Sequence, residues 1–307
     1  MKTCVNILKE GISRAGAELL RASKEGLDEL AAELVSSGLS VDYQSSLGRG
    51  TPLIIAVKNG HLRVAQEMLR LGANPNLAEF DGKTALMHAA MRCPEAIEAL
   101  ALAGADLNEK DKHGRTALMH AARSASSEAI EQLIARGADL DARSNNGMTA
   151  LCSACGSLGH TEGALLLIRA GSDIELGSKQ GLTPLLLSAM SGEPEVVSSL
   201  LDVGANAQST GTLVVGADEC GRNAYAHGVT ALMMAASSGS NKTVELLLAA
   251  GFDSKARAST GRSAADFARA NGRLDTEAMI VAHQESIALG AMEGIGRGVD
   301  AGRKNRI

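Results

Sequence analysis

The sequence predicts an all-α repeat solenoid, on the strength of three observations. A marker of the form Gly-x-Thr-(Pro/Ala)-Leu, or a relic of it, places a hydroxyl at Thr51, Thr84, Thr116, Thr149, Thr183, Thr230 and Ser263, so successive copies lie 33, 32, 33, 34, 47 and 33 residues apart. A second marker stays in phase with the first: Gly, a variable residue, then Asn or Asp, at Gly72, Gly104, Gly137, Gly171, Gly204 and Gly251. Composition supplies the third, since 45% of the 307 residues are hydrophobic but only 2% are aromatic and none is Trp. A core of Ala, Leu, Val, Ile and Met suits helices that approach closely. Two markers sharing a period of roughly 33 are the signature of a stacked array, in which a unit buries its apolar face only against its neighbours.

The elements follow in order. Residues 1–16 read as an N-terminal extension, and residues 17–46 as a degenerate capping unit with the same helix-Gly-helix-Gly plan but no Thr marker. Six fuller units begin near residues 47, 80, 112, 145, 179 and 226, and a final unit begins at about 259. In each, Gly-x-Thr makes a tight turn, the Thr hydroxyl caps a short first helix, and Pro52 or Pro184 is preset for the first helical position. Leu86, Ala89 and Ala90, or Leu118, Ala121 and Ala122, give that helix one apolar stripe. Breaks such as Asn59-Gly60 and Cys93-Pro94 end it. A longer second helix runs to the second marker, whose Gly suits a left-handed C-cap. The step of 47 inserts a long hairpin at 207–226, and the Gly-rich, basic stretch 289–307 reads as a flexible tail.

This pattern resembles the ankyrin-repeat family over residues 17–288, most clearly in Asp111-Lys112-His113-Gly114-Arg115-Thr116-Ala117-Leu118-Met119-His120-Ala121-Ala122 and in the copy around Thr84. The resemblance implies a stack of helix-turn-helix units joined by β-hairpin-like loops. The family's signature histidine position is held here by Ile54, Met87, Met119, Cys152, Leu186 and Met233, while His88 and His120 fall one residue later. Hydrogen bonding by that histidine is therefore not carried over.

Charge and motifs exclude several functions. A net charge of −5, from 30 basic and 35 acidic residues, offers no general attraction to nucleic acid or to anionic membranes. No apolar stretch is long enough to cross a bilayer, and the apolar centre of Met1–Lys9 is too short for a secretory signal, so a cytoplasmic protein is expected. The five scattered cysteines (Cys4, Cys93, Cys152, Cys155 and Cys220) read as reduced thiols. Cys152 and Cys155 have metal-site or redox spacing but no second pair, and read as small core residues. His88 and His120 stand one repeat apart in adjacent first helices, and a packing role is favoured for them. The alternative function, a small-molecule- or metal-responsive regulator, would use one of these two pairs. Gly156-Ser157-Leu158-Gly159 lacks the nucleophile-elbow pattern and reads as a turn. With no catalytic constellation in the sequence, neither an enzyme nor a bound cofactor is expected.

What remains is surface. The resemblance implies a concave groove built from hairpin tips and the exposed side of the first helices. By match to the family, the tips are Glu79, Phe80, Asp81 and Lys83; Asp111, Lys112, His113 and Arg115; Asn145, Asn146 and Met148; and Lys179 and Gln180. Lys58, Asn59, Met91, Arg92 and Arg123 adjoin them, and the inserted hairpin adds Val214, Val215 and Tyr225. Interfaces favour aromatic and Arg anchors, which singles out Phe80 and Tyr225. The expectation is a non-enzymatic monomer that binds a partner protein through this groove.

Overall fold

The computed structural model describes residues 11–44, 50–217 and 223–304. The chain divides into two compact units, the first Met1–Ala154 with Glu162–Leu176 and the second Cys155–Thr161 with Gly177–Ile307.

In the first unit helices come in pairs. These are α1 (Ile12–Glu25) and α2 (Asp28–Ser36), α3 (Pro52–Lys58) and α4 (Leu62–Arg70), then α5 (Ala85–Arg92) and α6 (Ile97–Leu102). The series continues with α7 (Ala117–Arg123) and α8 (Ser127–Ala135), α9 (Ala150–Cys155) and α10 (Thr161–Arg169). First helices pack in the order α1, α3, α5, α7, and second helices in the order α2, α4, α6, α8. Pro94 explains the short α6, because it ends α5 at Cys93 and opens a 3-10 turn, Pro94–Ala96, before the α-helix starts.

The marker hydroxyls act as N-caps throughout. Thr51 accepts from the Ile54 N–H at 3.3 Å, Thr84 from Met87 at 3.4 Å and Thr116 from Met119 at 3.4 Å. Thr149, Thr183 and Thr230 repeat the bond, and Ser263 extends it to a capping box with Asp266. Second helices end as the second marker requires. Gly72 sits at φ +87°, and the N–H of Ala73 closes onto the Met68 carbonyl at 2.9 Å. Ala89, Ala90, Ala121 and Ala122 are buried, as are Leu53, Leu86, Leu118 and Ile130. The four alanines let adjacent first helices approach closely.

The second unit holds α11 (Pro184–Ser191), α12 (Pro194–Asp202), strands β1 (Gly211–Ala217) and β2 (Asn223–Val229), α13 (Ala231–Ser238) and α14 (Asn241–Ala249). It ends with α15 (Ala264–Ala270) and α16 (Leu274–Lys304). First helices α11, α13 and α15 pack in series, as do α12, α14 and α16. The inserted residues form an antiparallel ribbon in which Val214 lies opposite Tyr225 and Gly211 opposite Val229, with two register shifts.

Two boundaries differ from the sequence expectation. The first helix begins at Ile12 rather than at 17, with Gly11 at φ +110° before it, so the N-terminal extension is shorter; residues 1–10 lie outside the described residues. At the other end α16 continues as helix through 289–304, where a tail was expected. Ala288, Ala291, Met292 and Glu293, good helix formers, flank Gly290. Residues 305–307 lie outside the described residues, as do Cys4 and Cys220, and 45–49, where the unit beginning near 47 starts.

Candidate functional site

Among the described residues, three tips of the first unit are built the same way. The N–H of the residue five before the marker hydroxyl donates to a carbonyl four residues on: Glu79 to Lys83 at 2.9 Å, Asp111 to Arg115 at 3.0 Å and Ser144 to Met148 at 3.0 Å. The glycine inside the turn is obligatory. Gly114 sits at φ +72°, and a Cβ there would lie 2.8 Å from the backbone nitrogen of Asn145 on the following tip. Successive tips are tied together by main chain, since the Lys112 N–H donates to the Asp81 carbonyl at 3.0 Å and the Asn145 N–H to the His113 carbonyl at 2.9 Å.

Asp111, expected at an exposed tip, is instead buried, its side chain only 1% exposed. This corrects its assignment as a partner contact, and the cause is the set of donors converging on it. Oδ1 accepts from the backbone N–H groups of His113 (2.8 Å) and Arg115 (2.9 Å), while Oδ2 accepts from Arg115 Nε (3.1 Å) and His120 Nε2 (3.0 Å). Burial alone would raise the Asp111 pKa, but the two backbone donors, then His120 and Arg115, outweigh it and hold the carboxyl below its ordinary value. His120 moves the other way. Burial lowers its pKa to about 4 despite Asp111, so at neutral pH the imidazole is uncharged and Nε2–H is the donor.

One repeat earlier the arrangement is looser. His88 Nε2 donates to Glu79 Oε2 at 2.9 Å, and Lys58 Nζ donates to Glu79 Oε1 at 3.0 Å. Burial opposes ionisation of Glu79, but the bonds from His88 and Lys58 prevail and its pKa is lowered. The two histidines are thus buried as the packing role requires, and each also bonds a hairpin carboxylate. The signal was a spacing of nine residues from carboxylate to histidine, Glu79 to His88 and Asp111 to His120.

A second polar system runs along the other loops of the first unit. Within each loop the second marker's side chain accepts from a backbone N–H two residues on, as in Asn74 to Asn76 at 3.0 Å and Asp106 to Asn108 at 2.8 Å. That next Asn or Asp then reaches the following repeat. The N–H of Asp106 donates to Asn76 (2.7 Å), that of Asp139 to Asn108 (2.9 Å) and that of Asp173 to Asp141 (2.9 Å), while Asp42 receives Asn74. Sequence reasoning missed this ladder, although an Asn or Asp two residues past the marker announces it.

The remaining predicted residues fall as follows. Lys58, Asn59, Glu79 and Arg92 come together with Lys24 and Ile55 around a cleft of about 560 Å³; Lys24 and Ile55 were not anticipated. Phe80 is 81% exposed, and the Lys112 ammonium sits 3.5 Å from its ring centroid. Asp81 is paired with Lys83 at 2.6 Å. His113, Arg123, Asn145 and Asn146 are exposed, Met91, Arg115 and Met148 are half-buried, and Asn145 donates its Nδ2–H to the Lys112 carbonyl at 2.9 Å. In the second unit Lys179 and Gln180 are exposed at a tip, and Val214 and Tyr225 form an exposed cross-strand pair. Val215 lies on β1, and its side chain lies outside the described residues.

Cys93, Cys152 and Cys155 are buried and take part in no disulfide. Burial pushes the Cys93 and Cys152 thiols up, which disfavours the thiolate needed by a metal or redox site. Among the described residues, no group of three or more His, Cys, Asp or Glu could hold a metal ion, and no helix is long and apolar enough to cross a membrane.

A sequence profile for ankyrin repeats matches in three copies, at residues 19–111, 93–178 and 159–258. With well over half of the chain matched, the protein belongs to the ankyrin-repeat family. Curated relatives share only a short stretch. The chain is 38% identical over 80 residues to an ankyrin repeat-containing protein of Treponema pallidum, covering 26% of this chain and 27% of the relative. It is 32% identical over 94 residues to an ankyrin repeat and KH domain-containing protein of Caenorhabditis elegans, covering 27% of this chain and 4% of that one. A rice protein named as an E3 ubiquitin-protein ligase is 35% identical over 81 residues, with 26% and 15% covered. Ankyrin repeats are generally protein–protein interaction modules and typically not enzymes.

Proposed function

We propose that this chain is a non-enzymatic binding module, monomeric and cytoplasmic, whose first unit engages a partner protein along its hairpin tips and the adjoining first-helix ends. The observation that carries the reading is Phe80, a large apolar side chain left in solvent yet held in place beneath the Lys112 ammonium. An exposed aromatic fixed in advance, on tips tied together by main-chain hydrogen bonds, loses little freedom when a partner covers it. Arg92 and Arg123 stand exposed on the adjoining helices. Three buried thiols outside any disulfide suit a reducing compartment.

The regulator reading has less support. His88 and His120 are buried and each is bonded to its own hairpin carboxylate, so both ring systems serve the fold.

The test is site-specific photocrosslinking. p-Benzoylphenylalanine replaces Phe80 in one variant and Leu102, which is exposed on a second helix, in another, and each is irradiated in lysate of the source organism. A discrete adduct from position 80 alone is expected, and the identified protein, once purified, should bind wild type more tightly than Phe80→Ala. Adducts from position 102 alone, or equally from both, would contradict the reading.

A further inference from the structure

Three cations, Lys24, Lys58 and Arg92, line the 560 Å³ cleft of the first unit, and they face a single carboxylate, Glu79. That carboxylate is spoken for, since it accepts from Lys58 at 3.0 Å and from His88 at 2.9 Å. Lys24 and Arg92 have no ion-pair partner among the described residues, and both are exposed. The cleft therefore carries an uncompensated positive charge in a chain whose net charge is −5. Ile55 gives it an apolar wall, and Asn59 is fixed by its own Nδ2–H, which donates to the Ile55 carbonyl at 2.7 Å.

From this charge pattern we infer that the cleft receives the acidic side chains of an extended segment of the partner protein, with one carboxylate seated between Lys24 and Arg92. The inference rests on the binding-module reading above and names the chemistry its partner must present. Opposite charges across a binding surface speed encounter and fix register, and a cavity of this size accommodates a few side chains. A nucleic-acid strand fits less well. The cleft offers no aromatic ring on which a base would stack.

The experiment pans a displayed random-peptide library against the full chain and against the double variant Lys24→Glu/Arg92→Glu. Both positions are exposed, so the variant should keep the wild-type unfolding midpoint, which is checked first. Peptides enriched on wild type are expected to carry Asp or Glu at fixed positions and to be lost from the variant. A synthetic copy of one such peptide should weaken roughly tenfold or more when its acidic residues become Asn or Gln, and should weaken as salt is added. Enrichment of neutral or basic peptides that the variant fails to hold would overturn this inference and leave the binding-module reading standing. Acidic peptides held equally by the variant would place the site elsewhere and overturn it, as would tighter binding of a polyuridylate strand than of the acidic peptide. No enrichment on wild type would count against both readings.

Discussion

The hairpin tips at Asp111 in the first unit and at Ser178 in the second share one backbone turn but differ in chemistry. At the first, the Asp111 carboxylate accepts from two tip N–H groups and from buried His120; at the second, the equivalent residue is Ser178, whose hydroxyl accepts from the Gln180 and Leu182 N–H groups, each at 3.2 Å, much as Ser144 accepts from Met148 at 3.1 Å in the first unit. The histidine positions become Leu187 and Met234, both buried. Loop chemistry diverges too. Asn206 and Asp253 keep the local turn bonds to Gln208 and Lys255, but among the described residues no bond from Gln208 reaches Asp253. The local turn and the repeat-to-repeat ladder are therefore separable: the first needs only the marker residue, whereas the second needs a short acceptor at the right reach two residues later.

The largest effect expected from breaking this comparison is Asp111→Ala. It strands His120, Arg115 and two backbone donors, and should cost about 3 kcal/mol or more in denaturant unfolding. Ser178→Ala, which strands two backbone N–H groups, should cost about 1–2 kcal/mol. Asp111→Ser transplants the second unit's solution and should fall between wild type and Asp111→Ala.

A pH titration sharpens the contrast. The His120 pKa is lowered from 6.5 to about 4 on folding, so in that window the unfolded chain takes up the proton first and stability falls as pH falls. On the order of 3 kcal/mol is at stake across the window, all of it retained above the unfolded value. His120→Gln keeps a donor for Asp111 without titrating and should flatten this part of the profile. Were His120→Gln to leave the slope unchanged, the buried neutral imidazole would be the wrong account.

Smaller effects follow. Asn108→Ala removes a ladder acceptor and should cost about 1 kcal/mol, whereas Gln208→Ala, which loses no such bond, should stay within about 0.5 kcal/mol of wild type. Phe80→Ala should alter stability by less than about 0.5 kcal/mol, because the side chain buries little. Its cost should appear in partner affinity.

Much of the fold was legible because its signals are local and repeated. Thr51, Thr84 and Thr116 each carry their own cap, and each second marker its own turn, so seven registers of one message could be read together. The site was less legible. Asp111 was assigned to an exposed tip by match to the family, whereas its burial depends on Arg115 and His120 folding back over it. Lys24 was missed because it belongs to the degenerate first repeat and lines the same cleft as Arg92 only when α1, α3 and α5 pack in series. The inserted hairpin was placed by length alone, since nothing in Val214 or Tyr225 announces which residues lie opposite one another.

Hydrogen exchange of the full chain with and without the purified partner bears most directly on the claim that the first unit's tips and first-helix ends form the binding surface. The account predicts that partner binding slows exchange in peptides covering 79–83, 111–115 and the C-terminal ends of α3 and α5, with the second unit's strands unchanged. Slowing confined to β1 and β2, or to the second helices, would contradict it.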